Sequence, residues 1–157
     1  MGGHGPGGVA SRHSFAWSID PLADLEWREE TDLTRARDEA VAVGVDGLVY
    51  LLAGHSQSPN IVLNTIERYD PAKFGFWENR QSLTVGRRFP GAAVVAGQIY
   101  VFGGYDNTGD KLGSMERYTP STDSVSLLPG MSTPRSHMGV CVVGDRIYTL
   151  GGLNGSQ

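Results

Sequence analysis

An all-β chain assembled from repeated strand units is predicted by three observations. The first is punctuation: 22 glycines and 8 prolines in 157 residues suit many short strands joined by turns. The second is the character of the apolar runs. GAAVVA (91–96) and GVCVV (139–143) are short and made of small and β-branched residues, as buried strands are. The third is an internal repeat. RARDEAVAVGVDGLVYLLAG, GRRFPGAAVVAGQIYVFGG and TPRSHMGVCVVGDRIYTLGG align on Tyr50, Tyr100 and Tyr148, which stand 50 and 48 residues apart.

The landmarks order the elements of each unit. An arginine, Arg37, Arg87 or Arg135, stands thirteen residues before each tyrosine. The small, branched run that follows is a first strand. IYVFGG and IYTLGG are second strands that stop where glycine permits a positive φ and a tight exit. The closing pairs are Ala53-Gly54, Gly103-Gly104 and Gly151-Gly152. IERYD and SMERY alternate apolar and polar residues as third strands, with Tyr69 and Tyr118 at matching places. Residues 76–80 and 124–128 supply fourth strands. Trp77 lies eight residues past Tyr69 and ten before Arg87, and Trp27 lies ten before Arg37. Eight residues before Trp27 is Ile19, so SIDPLADLEW reads as a degenerate copy of ERYDPAKFGFW.

These offsets resemble the kelch repeat over roughly residues 17–152. Its marks are an arginine before a small, branched strand, an aromatic strand ending in Gly-Gly, and a tyrosine and tryptophan at fixed offsets. The resemblance implies a partial kelch β-propeller of about three four-stranded blade equivalents. The expected division is a Gly-rich disordered N-terminus (1–14), a half blade (15–34), two full blades (35–84 and 85–132) and a half blade (133–157). The glycines of the pairs (Gly54, Gly103, Gly104, Gly151, Gly152) and Tyr69, Tyr118, Trp27 and Trp77 are then structural residues of the repeat, the tyrosines and Trp77 serving inter-blade packing. Three departures stand out: Ala53 replaces a glycine, Ile19 a tyrosine, and Val125 stands near the place of a tryptophan. Local propensity disagrees at LADLEWREETDLTRARDEAV, which has good helix formers; the fixed offsets of Trp27 and Arg37 outweigh that weak prior.

Composition excludes several classes. With 13 basic against 17 acidic residues and a net charge of -4, no basic excess offers itself to a phosphate backbone, so no nucleic-acid partner is expected. No apolar run approaches the ~20 residues of a membrane span. No signal peptide and a single cysteine make a cytoplasmic location the expectation. Gly3-x-Gly5-x-x-Gly8 matches a dinucleotide fingerprint by letter, but no strand precedes it. GYDNTGDK (104–111) fails as a phosphate loop because Asp110 breaks the Gly-Lys step. The sequon at Asn154 lacks a secretion signal. None of His4, His13, His55 and His137 is paired at metal-ligand spacing, so no metal and no cofactor are expected. Cys141, among valines, is expected to be buried and inert.

Surface chemistry remains. Loops between second and third strands and loops between blades open on one face of a propeller. Arginine and tyrosine among Asn, Ser and Asp suit a binding surface. Resemblance to kelch adaptors, where matching residues grip an acidic peptide, points to Arg87, Arg135 and Tyr105, and more weakly to Arg37, His55 and Leu153. The opposing reading pairs each arginine with a neighbouring blade's carboxylate or carbonyls. The expected function is a non-catalytic module that binds a protein partner, as the substrate-recognition part of a cullin-type ubiquitin ligase adaptor or as an actin or cytoskeletal binder. The alternative is a small-molecule enzyme such as a sugar epimerase, which requires an acid and a base converging on the axis. Three blade equivalents cannot close alone. Two expectations stay open: a head-to-tail homodimer of six blades, or a fragment of a larger kelch protein.

Overall fold

The computed structural model describes residues 10–19, 26–73 and 75–155. Residues 1–9, with His4 and the fingerprint-like glycines, lie outside the described residues, as do Asp20 and Pro21. In chain order, β1 (Ser14–Ala16) pairs antiparallel with β2 (Arg28–Glu30). Next come β3 (Val41–Val45), β4 (Leu48–Leu52), β5 (His55–Gln57), β6 (Asn60–Val62), β7 (Ile66–Tyr69) and β8 (Glu78–Arg80). They form a four-stranded sheet, β3-β4-β7-β8, with β5-β6 as a ribbon in its longest loop. A second four-stranded sheet holds β9 (Gly91–Val95), β10 (Gln98–Phe102), β11 (Met115–Thr119) and β12 (Ser124–Leu128). Finally come β13 (Arg135–Ser136), β14 (Gly139–Val143), β15 (Arg146–Leu150) and β16 (Leu153–Asn154), with β14-β15 a hairpin and β13-β16 a pair at its mouth. Among the described residues there is no α-helix, only a 3-10 turn at Pro71–Lys73, and no helix is long and apolar enough to cross a membrane.

Turn chemistry sets the hairpins. Asp46-Gly47 and Ala96-Gly97 have φ of 50 and 76°, and 49 and 72°, the two left-handed residues that a two-residue turn needs to match strand twist. The pairs after the second strands show why one glycine is replaceable and the other is not. Ala53 and Gly103 sit at φ 63 and 64°, a well that an L-residue can occupy at a cost. Gly54 and Gly104 sit at 100 and 94°, where only glycine is at ease.

The sheets pack face to face as blades. Tyr50, Leu52, Ile66 and Leu83 of one meet Ile99, Val101 and Tyr118 of the next, all buried. On the other side Leu51, Tyr69 and Trp77 pack with Leu33. The first strands β3, β9 and β14 lie side by side, and their small residues allow that approach. Residues 31–40 are irregular rather than helical: burying Leu33 and Arg37 and bonding Leu33 N–H to Arg12 O at 2.8 Å overrides propensity.

Four expectations need correction. Residues 10–14 are held rather than disordered, since Ser11 O accepts Arg37 N–H and Ser14 belongs to β1. The tyrosine's place in the first half unit belongs to Trp17, not Ile19. The register Ser14↔Glu30 matches Ile66↔Arg80, and Trp17 pairs with Trp27 at 6.3 Å as Tyr69 stacks on Trp77 at 5.3 Å. Ile19 is 88% exposed. Trp27 itself is 70% exposed where Trp77 is 6%, because no preceding sheet covers it among the described residues. Cys141 is exposed, not buried, because its face of β14 has no following first strand against it among the described residues.

Candidate interaction face

The loops that enter the first strands and those that leave the second strands share one face. Their positions are set by backbone bonds that repeat from blade to blade. Gly54 N–H and Gly104 N–H donate to Arg87 O and Arg135 O, each at 2.9 Å. Both glycines are crowded: a Cβ on Gly54 would stand 2.6 Å from Asp38 O, and one on Gly104 2.6 Å from Arg88 O. Next along each loop comes a non-glycine residue at positive φ: Glu39 at 56°, Phe89 at 51° and His137 at 54°. These three form a ladder around the axis. Phe89 N–H donates to Glu39 O at 2.8 Å, and His137 N–H to Phe89 O at 3.3 Å.

Arg37 and Arg87 lie beneath this face and not on it. Both are fully buried, so the expected direct grip on a partner is corrected for these two. Each guanidinium anchors its own blade. Arg37 donates to Ala53 O at 2.8 Å and to Glu67, and Arg87 to Gly103 O at 3.0 Å and Glu116 at 2.7 Å. Burial pushes both guanidinia down, and the facing carboxylates oppose it. Each glutamate also accepts the N–H of the threonine that starts the loop, Thr34 or Thr84, at 2.8 and 2.6 Å. Burial would raise the Glu116 carboxyl, but the bonds from Thr84 and Arg87 leave it lowered. The opposing reading is thus nearer for these arginines, with the carboxylate coming from the same blade. Sequence reading missed Glu67 and Glu116. Their signal was their near-constant distance, 30 and 29 residues after the arginine.

Arg135 repeats only the first bond, donating to Gly151 O at 2.9 Å, and is half-exposed. Tyr105 and His55 do reach the face. The Tyr105 ring has Arg88 Cζ 5.6 Å and Lys111 Nζ 5.0 Å from its centroid, and meets His137 edge-on at 5.9 Å. Hydrogen bonding to Ser136, with Lys111 and Arg88 nearby, holds its phenol below the ordinary value. Phe89 stacks on His137 at 3.8 Å. His55 contacts Asp38 Oδ1 through Nδ1 at 3.3 Å and Asn60 Oδ1 through Nε2 at 2.6 Å. Leu153 is exposed on the terminal pair β13-β16.

Three depressions lined by described residues cut this face. One is bounded by Asp38, Glu39, His55, Gln57, Asn60 and Arg88. A second runs from His55 and Arg88 to Asp106–Gly109. The third, about 740 Å³, lies between Tyr105, Lys111 and Ser132–Pro134. The rim is stiff: Asp106 Oδ1 accepts the N–H groups of Thr108 and Asp110 at 2.9 and 3.0 Å, and Asn107 Oδ1 accepts Val62 N–H at 3.3 Å. Among the described residues, two carboxylate–histidine groups draw close, His13 with Glu29 and Asp32, and Asp38 with Glu39 and His55. Arg88 Nη1 stands 3.6 Å from Glu39 Oε2, a cation where a metal would need none.

Repeated four-stranded blades with a stiff, mixed-charge loop face define a propeller-type repeat protein. The Kelch motif profile matches residues 36–74, 86–132 and 134–157, and the chain belongs to the kelch-repeat family. It is 31% identical to Kelch-like protein 33 of Homo sapiens over 112 residues, 71% of this chain and 20% of that protein. It is 34% identical to Kelch-like ECH-associated protein 1A of Danio rerio over 112 residues, 69% of this chain and 18% of that one. Kelch repeat and BTB domain-containing protein 2 of Homo sapiens is 29% identical over 128 residues, 82% and 19% of the two chains. The chain thus spans about a fifth of the length of these relatives. The solved structure of YjhT shares the fold, with a TM-score of 0.80 at 16% identity over 88% of this chain and 50% of that one.

Proposed function

We propose that this chain is a non-catalytic protein-interaction module that holds an acidic peptide segment of a partner on its loop face. The observation that carries this reading is Tyr105 with two cations, Arg88 and Lys111, against its ring, beside a depression of about 740 Å³. A rigid aromatic with flanking cations binds carboxylates at low entropy cost. Tyr105 and His55 are the principal contacts, Arg135 and Leu153 extend the surface, and Arg37 and Arg87 hold the loops from below. The division into units at 15–34, 35–84, 85–132 and 133–157 belongs to the same proposal.

In a longer adaptor the module would select substrates for a cullin-type ubiquitin ligase in the cytoplasm. The Kelch-like and BTB-containing relatives support that setting. Cytoskeletal binding is the alternative within the class, and co-sedimentation with filamentous actin separates the two. A head-to-tail pair of copies is allowed by strand count. The test is a peptide array ranging from Asp/Glu-rich to Lys-rich sequences. Acidic peptides should be retained, and Tyr105→Ala should weaken them about tenfold or more. Equal retention across the array, or no effect of Tyr105→Ala, would remove this reading.

A further inference from the structure

The loop face does not carry one sign of charge. Arg88 and Lys111 stand against the Tyr105 ring. One blade earlier, the depression of about 390 Å³ bounded by Asp38, Glu39, His55, Gln57, Asn60 and Arg88 sets two carboxylates against one guanidinium.

The walls of that depression are fixed by the backbone. Asp38 and His55 exchange main-chain hydrogen bonds at 3.0 and 2.9 Å, and Glu39, at φ 56°, offers its carbonyl to Phe89 N–H at 2.8 Å. Asp38 Oδ2 accepts a hydrogen bond from Gln57 Nε2 at 3.0 Å, and Asp38 Oδ1 faces His55 Nδ1 at 3.3 Å. Glu39 is served less well. Its side chain is 17% exposed, and Arg88 Nη1 stands 3.6 Å from its Oε2, too far for a hydrogen bond. That oxygen is shut off from solvent and accepts no hydrogen bond among the described residues. A carboxylate oxygen withdrawn from water and left without a donor is costly, and a donor brought by a ligand removes the cost.

We propose, building on the acidic-peptide reading, that the partner segment is dipolar. A basic side chain of the partner enters the depression beside Glu39 and Asp38, while an acidic one lies against Tyr105, Arg88 and Lys111. The spacing follows from Arg88, which is common to both places: Nη1 lies near Glu39, and Cζ is 5.6 Å from the Tyr105 centroid. Side chains two residues apart on an extended backbone point the same way, about 7 Å apart, which suits two subsites that share one guanidinium. The pattern is therefore basic-x-acidic or its reverse. A second acid in place of the base would bind less well, because it meets Asp38 and Glu39 with like charge. Asp106, on the neighbouring depression that His55 and Arg88 also line, adds to that field.

The probes are five labelled peptides with one neutral framework, carrying Ala-x-Glu, Lys-x-Glu, Glu-x-Lys, Glu-x-Glu or Lys-x-Ala at the centre. Each is titrated into the full chain at low salt by fluorescence anisotropy. The tighter of the two mixed peptides should exceed the Ala-x-Glu peptide about fivefold or more and should also exceed the Glu-x-Glu peptide. Glu39→Gln in the chain should shrink the first ratio toward one. If that variant does not fold, the ranking of peptides on the unaltered chain still decides. Binding of the acidic peptides with no gain from lysine, or a gain that survives Glu39→Gln, overturns this proposal and leaves the acidic-peptide reading standing. Binding of none of the five, or a Lys-x-Ala peptide bound as tightly as the mixed ones, overturns both.

Discussion

Arg87 Nη2 lies 2.7 Å from Glu116 Oε1, and neither side chain reaches solvent. The pair fastens the loop between β8 and β9 to β11. Its loss of one member leaves the other charge buried and unpaired.

The first prediction follows directly. Arg87→Ala should destabilise the chain by about 3–5 kcal/mol, read by urea unfolding. Tyr105→Ala, at the half-exposed rim, should leave stability within about 1 kcal/mol of the parent. A cost below about 1 kcal/mol for Arg87→Ala would show that the pair is not what holds the loop.

Acid should undo the same contact. The Glu116 carboxyl is lowered in the folded chain, so the unfolded chain binds its proton first. The stability this confers is complete above the unfolded value of about 4.3 and disappears as pH falls through the folded value. Glu116→Gln should flatten the dependence of unfolding free energy on pH below about 5. An unchanged acid limb would assign acid sensitivity to other carboxylates.

Gly54 should tolerate no side chain. Its φ of 100° and the Asp38 carbonyl 2.6 Å from a would-be Cβ act together. Gly54→Ala should cost about 1–3 kcal/mol or more, whereas Ala53→Gly should be nearly neutral because position 53 lies in a well that glycine also accepts. Similar melting temperatures for Gly54→Ala and the parent would contradict this.

Cys141 should react with a thiol reagent in the native chain about as fast as in denaturant, because it is exposed. Slow native labelling would mean that another strand covers β14 in solution.

The fold was legible because the repeat supplied register: strand order and the irregular course of residues 31–40 both follow from the offsets of Trp27 and Arg37. What escaped was three-dimensional. Arg37 and Arg87 stand among polar loop residues and look like surface. Only the Glu67 and Glu116 side chains, brought over by β7 and β11, reveal that they are enclosed. Trp17 was passed over because two extra residues separate it from Trp27 compared with Tyr69 and Trp77, so a fixed ruler fell on Ile19. Cys141 reads as buried from its neighbours in sequence, but burial of β14 depends on a strand beyond those neighbours.

The ladder of Glu39, Phe89 and His137 has a further consequence. The two bonds of this ladder run between main-chain N–H and C=O groups, so they do not require particular side chains. One place in each blade is therefore open to rewriting, and the three differ already: a carboxylate, a phenyl ring and an imidazole. Exchanging any of them would change the sign of charge or the shape offered on the loop face while leaving the main-chain ladder bonds in place. Recognition in such a molecule can diversify one seat at a time, among side chains that tolerate a left-handed backbone.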